Sequence, residues 1–209
     1  MEQILEKLLD SVPKARILRL FMQNPDQAFT FDVISKKCNL RSSHARKEIN
    51  KFLKIGIIIE KTASIKKEQN AQKIKGRRLQ KIIKVFVYTA NPNFEVFQEL
   101  RDLIIKSSVA SKKKLLQRIK RLGRIRLAMI AGTLINNDRG RTDLLLVADD
   151  IKKSKLEKFL SELESEVGKQ VHYTLMTGDE FVYRTNMYDR FLRDILESPH
   201  EKVINRLNI

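Results

Sequence analysis

The sequence predicts an α+β protein in two parts, and three observations lead there. The first 90 residues carry helical apolar spacing three times over and then two β-branched runs, Ile57 to Ile59 and Ile82 to Tyr88. The last part reverses the mixture, with strand, turn, strand, amphipathic helix and strand in that order. Charge divides the same way: residues 1–120 hold 27 lysines and arginines against 11 acids, a net of +16, whereas residues 121–209 hold 15 against 14. A chain of 209 residues has room for two small cores. The expected layout is a domain over 1–106, a basic linker and helix over 107–122, and a second domain over 123–209.

Composition limits the function classes. No apolar run approaches the roughly 20 residues of a membrane helix, and Met1 to Leu9 mixes acids with leucines and lacks a basic leader, so a cytoplasmic protein is expected. Cys38 is the single cysteine, too few for an internal disulfide and without the neighbours of a zinc site. It reads as a small core residue, a reactive thiol being the alternative. No metal site and no cofactor is expected. The excess of positive charge in the front half suits a polyanion, because each phosphate neutralised releases condensed counterions.

Taken in order, Ile4, Leu5, Leu8, Leu9 and Val12 form one helical stripe, which packs on its own domain or against a second copy. Pro13 opens the next helix, with Ile17, Leu18, Leu20 and Phe21 inward and Asn24-Pro25 at its end. After a short extended stretch, Thr30 is placed to cap a helix over Asp32 to Lys37 that buries Val33 and Ile34. A third helix runs from Ser42, its expected cap, to Lys54. Ala45, Ile49, Phe52 and Leu53 fall on its inner face, and Ser43, His44, Arg46, Lys47, Asn50, Lys51 and Lys54 on the other. Gly56 is placed to close it. Between the two β-branched runs lies a long basic segment, expected as a loop over 62–81, in which Lys66, Lys67, Lys73, Lys75, Arg77 and Arg78 face a single acid, Glu68.

Three helices followed by a hairpin resemble the winged helix-turn-helix domain, with Ser42 to Lys54 as the recognition helix. The resemblance implies that this helix enters the major groove of double-stranded DNA while the basic wing lies along the backbone or in the minor groove. The residues it assigns to DNA are Arg41, Ser42, Ser43, His44, Arg46, Lys47, Asn50 and Lys51, with the six wing cations named above. Beyond Asn91-Pro92-Asn93, the residues Phe94, Phe97, Leu100, Leu103 and Ile104 predict a helix closing this domain. Lys106 to Arg126 follows with nine basic residues and no acid.

In the rear half, apolar strands are expected over Ile125 to Ile130, Thr142 to Val147 and Gln170 to Met176, with a helix over Lys152 to Glu166. Gly132-Thr133 stands ten residues before Asp143. This pattern resembles the minimal, DNA polymerase β-like nucleotidyltransferase domain, in which a Gly-Ser pair holds the triphosphate and three acids hold two magnesium ions. Two metals must clamp the attacking and leaving oxygens, and clustered carboxylates hold such hard cations. Of the three acid positions only Asp143 keeps its acid; Arg141 and His172 stand at the others. The resemblance therefore implies a domain that lost transfer activity, has no catalytic residues, and serves dimerisation or the sensing of a nucleotide or small-molecule effector. Gly132, Thr133, Arg141 and Asp143 are its candidate pocket, with Arg139 nearby. Thr177-Gly178-Asp179-Glu180 is placed to cap a helix, and Val203, Ile204 and Leu207 read as a last apolar turn or two.

The function expected is a DNA-binding transcription regulator acting as a homodimer. Two other classes stay open: an active nucleotidyltransferase of the antitoxin or protein- and RNA-modifying kind, and an RNA-binding protein. The last expects stacking aromatics on the binding face, and the basic stretches contain almost none.

Overall fold

The computed structural model describes residues 4–68, 80–107, 112–135, 137 and 140–207. Among them the front half forms α1 (Ile4–Leu8), α2 (Val12–Gln23), β1 (Phe29–Thr30), α3 (Phe31–Lys37), α4 (Ser42–Ile55), β2 (Ile58–Glu68), β3 (Gln80–Ala90) and α5 (Phe97–Ser107). One apolar cluster joins these elements: Ile17, Leu18 and Phe21 of α2 meet Ile34 of α3, Ile49 and Phe52 of α4, and Phe97 and Ile104 of α5. Phe21 and Phe29 meet edge to face, with ring centres 5.8 Å apart. Cys38 lies in this core as expected.

The first helix departs from its expected course. The stripe breaks at Asp10, whose φ is +47°, and Ser11 caps α2 by accepting from the Lys14 N–H. Val12 therefore belongs to α2; Leu5 is buried, while Leu8 and Val12 are exposed. In α3 the helix starts one residue earlier than expected, and only Ile34 of the expected pair is buried. Val33 is exposed because a seven-residue helix at the rim offers the core one side only. Thr30 holds the capping position, but its side chain makes no capping hydrogen bond.

The front sheet runs in the order β1-β3-β2, with both pairings antiparallel. Its main ladder is unbroken from Ile58↔Ala90 to Glu68↔Gln80. Of the basic segment expected as a loop over 62–81, the described residues 62–68 and 80–81 are thus strand, and 69–79 lies outside the described residues. A ladder held by paired backbone groups needs no apolar alternation, so its polar composition gives no strand signal.

The rear half forms α6 (Lys112–Lys120), β4 (Gly123–Ala131), a 3₁₀ turn (Gly132–Ile135), β5 (Leu144–Ile151), α7 (Lys153–Val167), β6 (Tyr173–Met176), α8 (Gly178–Asn186), α9 (Arg190–Glu197) and β7 (His200–Asn205). The sheet order is β6-β5-β4-β7, mixed as expected, since β5 and β6 are parallel and the other pairs antiparallel. The tail, read as a helical turn, is instead the edge strand β7 paired with β4. His200, Glu201 and Lys202 hide it, because an edge strand carries polar residues freely and depends on its neighbour for pairing.

Strands β4 and β5 are covered on both faces. Ala128, Ile130, Leu144 and Leu146 pack with Leu115, Ile119, Leu156 and Phe159 of α6 and α7. Leu127, Met129, Leu145 and Val147 pack with Phe181, Leu192 and Ile195 of α8 and α9. Such burial on both sides produces the continuous apolar runs of the sequence. The cap Thr177 accepts from the Glu180 N–H, as the pattern there predicts.

The two halves touch through α2 and α7. Asn24 Nδ2 donates to the Gly168 carbonyl at 2.7 Å. Gly168 closes α7 at φ +82°, and a Cβ on it would lie 2.7 Å from the Arg19 backbone. Arg19 is buried and pairs with Glu6 at 3.3 Å. Burial outweighs that attraction, raising the Glu6 carboxyl and lowering the Arg19 guanidinium from their ordinary values. No helix among the described residues is long and apolar enough to cross a membrane.

Candidate functional site

Helix α4 is anchored by Ala45, Glu48, Ile49 and Phe52 and by Gly56, which ends it in the left-handed conformation at φ +86°. The opposite side is open: Arg41, Ser42, Ser43, His44, Arg46, Lys47, Asn50 and Lys54 are exposed. Ser43, Lys47, Asn50 and Lys54 recur at the spacing of one helical stripe, flanked by Arg46. Lys51 is half-exposed and bonded at 2.9 Å to Glu48, one turn back, so part of its charge is compensated. The cap is Arg41 rather than Ser42, which is the first helical residue. No side chain caps α4, which leaves the amide groups of its first turn without a side-chain acceptor.

Two features beside α4 were not legible in the sequence. The Arg46 guanidinium sits 4.8 Å from the centre of the Phe31 ring, at the start of α3. Facing both is the β2–β3 hairpin, and between hairpin and helices runs a groove of about 590 Å³ lined by Phe31, Arg46, Asn50, Phe86 and Tyr88 among others. Burial and the Glu60 carboxylate push the Tyr88 hydroxyl up, against the pull of Arg46. Although the basic stretches contain almost no aromatics, Phe31, Phe86 and Tyr88 from other segments gather beside α4 in the fold. Of the wing cations, Lys66 and Lys67 stand on β2 opposite Ile82 and Lys81. Lys73, Lys75, Arg77 and Arg78 lie outside the described residues.

In the rear half the structure brings Gly132, Thr133, Asp143 and His172 together, but not as a pocket. Asp143 is buried. Its Oδ1 accepts from the Thr133 N–H at 2.6 Å, and its Oδ2 accepts from the His172 N–H at 2.8 Å, with the His172 Nδ1 at 3.3 Å. Gly132 turns at φ +52°, where an added Cβ would run into Asp143 Oδ1. The carboxylate thus pins the end of β4 to the loop before β6. Arg141 points elsewhere, 3.4 Å from Asp194 on α9. It lines a neighbouring cavity of about 300 Å³ with Thr142, Asp194 and Ser198, and of the four candidate residues it is the one that does. Arg139 lies outside the described residues.

These groups do not fit a two-magnesium site. Both oxygens of the Asp143 carboxylate are occupied by backbone amides. No three His, Cys, Asp or Glu side chains among the described residues gather as a metal requires. Comparison with protein-family models, with curated proteins and with solved structures finds no match to this chain.

Proposed function

We propose that the front half is a winged helix-turn-helix domain that binds double-stranded DNA, with α4 in the major groove and the β2–β3 hairpin as the wing. The observation that carries this reading is the exposed stripe of Ser43, Lys47, Asn50 and Lys54 with Arg46 beside it, on a helix whose other side is fixed in the core. An α-helix fits the major groove, and Arg and Asn are the side chains that pair bidentately with guanine and adenine edges. Lysines beside them suit the phosphates. Transcription regulation is the role we infer.

The rear half, on this reading, is a nucleotidyltransferase-like domain without transfer activity. What supports it is the use of Asp143 as a structural acceptor. We assign this half to pairing of copies or to an effector at the Arg141 cavity. Pairing is favoured by the apolar side chains it leaves in water: Tyr173 and Leu175 on the edge strand β6, Tyr183 on α8 and Met187 at its C-cap.

The double variant Arg46→Ala, Lys47→Ala tests the assignment. Affinity for a bound duplex at fixed salt should fall by about 10- to 100-fold, and log affinity of the unaltered protein should fall with log salt by about 0.9 per phosphate contacted. Unchanged affinity, or a flat salt profile, removes α4 as the reader.

A further inference from the structure

The hairpin carries an apolar face past the point where the helices end. Residues opposed across the ladder share a face, so Ile58↔Ala90, Glu60↔Tyr88 and Thr62↔Phe86 form one continuous side. Near the bundle that side is core: Ile58 and Ala90 are 1% exposed. Two rungs farther out Tyr88 is half-buried, and at Phe86 the cover is gone, with 64% of the residue open to water. Ile82, on the same side, is 65% exposed. Tyr88 is paired with Phe29 of β1 as well as with Glu60, whereas Phe86 is opposed by Thr62 and lies beyond the end of β1, so the Phe86 ring has no apolar partner across the ladder. Strand pairing needs no aromatic at an uncovered position, and a threonine would serve it equally.

What surrounds Phe86 indicates what it meets. Its groove is bounded across from it by Arg46 and Asn50 of α4 and by Asp32 at the start of α3. Lys84, two residues before Phe86 and on the same side of the hairpin, is exposed. A flat apolar ring, amide and carboxylate groups able to bond a base edge, and cations at the rim match a nucleotide strand. A volume of about 590 Å³ suits a group the size of one nucleotide. In a paired duplex the faces of the bases are stacked on one another and out of reach. Only an unpaired or extruded base offers a face to Phe86.

We propose that the groove between α4 and the β2–β3 hairpin takes one unpaired base of a nucleic-acid strand, stacked on Phe86, with a flanking phosphate on Lys84. The proposal rests on the assignment of α4 to nucleic acid and sharpens it. The protein prefers duplexes that contain a bulged, frayed or melted base over fully paired ones.

The experiment uses the full chain and two DNA duplexes of one sequence, one fully paired and one with a single bulged 2-aminopurine. The unaltered protein should bind the bulged duplex about tenfold more tightly and quench its fluorescence, since stacking on an aromatic contributes a factor of that order per base. Phe86→Ala should lose both the preference and the quenching. Phe86→Tyr should restore both. Equal affinity of the unaltered protein for the two duplexes overturns the proposal and leaves the assignment of α4 standing. Absence of binding to either duplex overturns both. Self-association that Phe86→Ala abolishes, without a bulge preference, assigns the ring to a second copy and also overturns it. The high exposure of Phe86 means that Phe86→Ala leaves the core intact, which its unfolding temperature checks.

Discussion

Asp143 shows how much a residue's role depends on where its oxygens point. A buried carboxylate stays only if its lone pairs are satisfied, and here two backbone amides satisfy them. Asp143→Asn keeps the shape but turns one acceptor into a donor that faces an N–H. It should lower stability by about 1–3 kcal/mol in a denaturant titration and leave nucleic-acid affinity unchanged. Cys38 gives a second test at this scale. Burial pushes its thiol up to about 12, from the ordinary 9.0. The folded chain keeps its proton between those values while the unfolded chain gives it up. The stability is therefore complete below about pH 9 and lost as pH rises toward 12, by about 1.4 kcal/mol per unit. A Cys38→Ala variant should lack that component of the alkaline slope, and the folded thiol should resist alkylation at neutral pH.

Among the elements, helices were the more legible because their signal is local. The inner face of α4 follows from the spacing of Ala45, Ile49 and Phe52, and its end from Gly56. The strands divide into two kinds. β4 and β5, covered on both faces, announce themselves as apolar runs. The outer reaches of β2 and β3 carry the composition of loops because backbone pairing does not ask for apolar side chains, and the edge strand β7 opens with the polar His200, Glu201 and Lys202 before Ile204 reaches the core. An affinity lost through Arg46→Ala, Lys47→Ala belongs to this scale too, since it depends on one face of one helix and not on the second domain.

For the molecule as a whole, the contact between the halves is the feature no local pattern announced. It sets α7 against α2 and α3, and includes Gly168 against the Arg19 backbone and the bond from Asn24 to the Gly168 carbonyl. Gly168→Ala meets two penalties together, a positive φ and a Cβ 2.7 Å from main-chain atoms that cannot step aside. It should lower stability by about 2–4 kcal/mol, read as a drop in unfolding temperature. The matching change at Gly56, also left-handed but with open space around a Cβ, isolates the cost of φ alone.

By itself, the sequence determined the α+β class, the two-part division of charge and the apolar faces of the long helices, because each of these rests on residues near one another in the chain. The tertiary structure alone decided the rest. It brought Phe31, Phe86 and Tyr88 to the side of α4, closed the carboxylate of Asp143 onto two distant amides, and paired β7 with β4. Each of these joins groups far apart in sequence, and which partner a side chain meets is fixed by how the elements pack, which no spacing along the chain encodes.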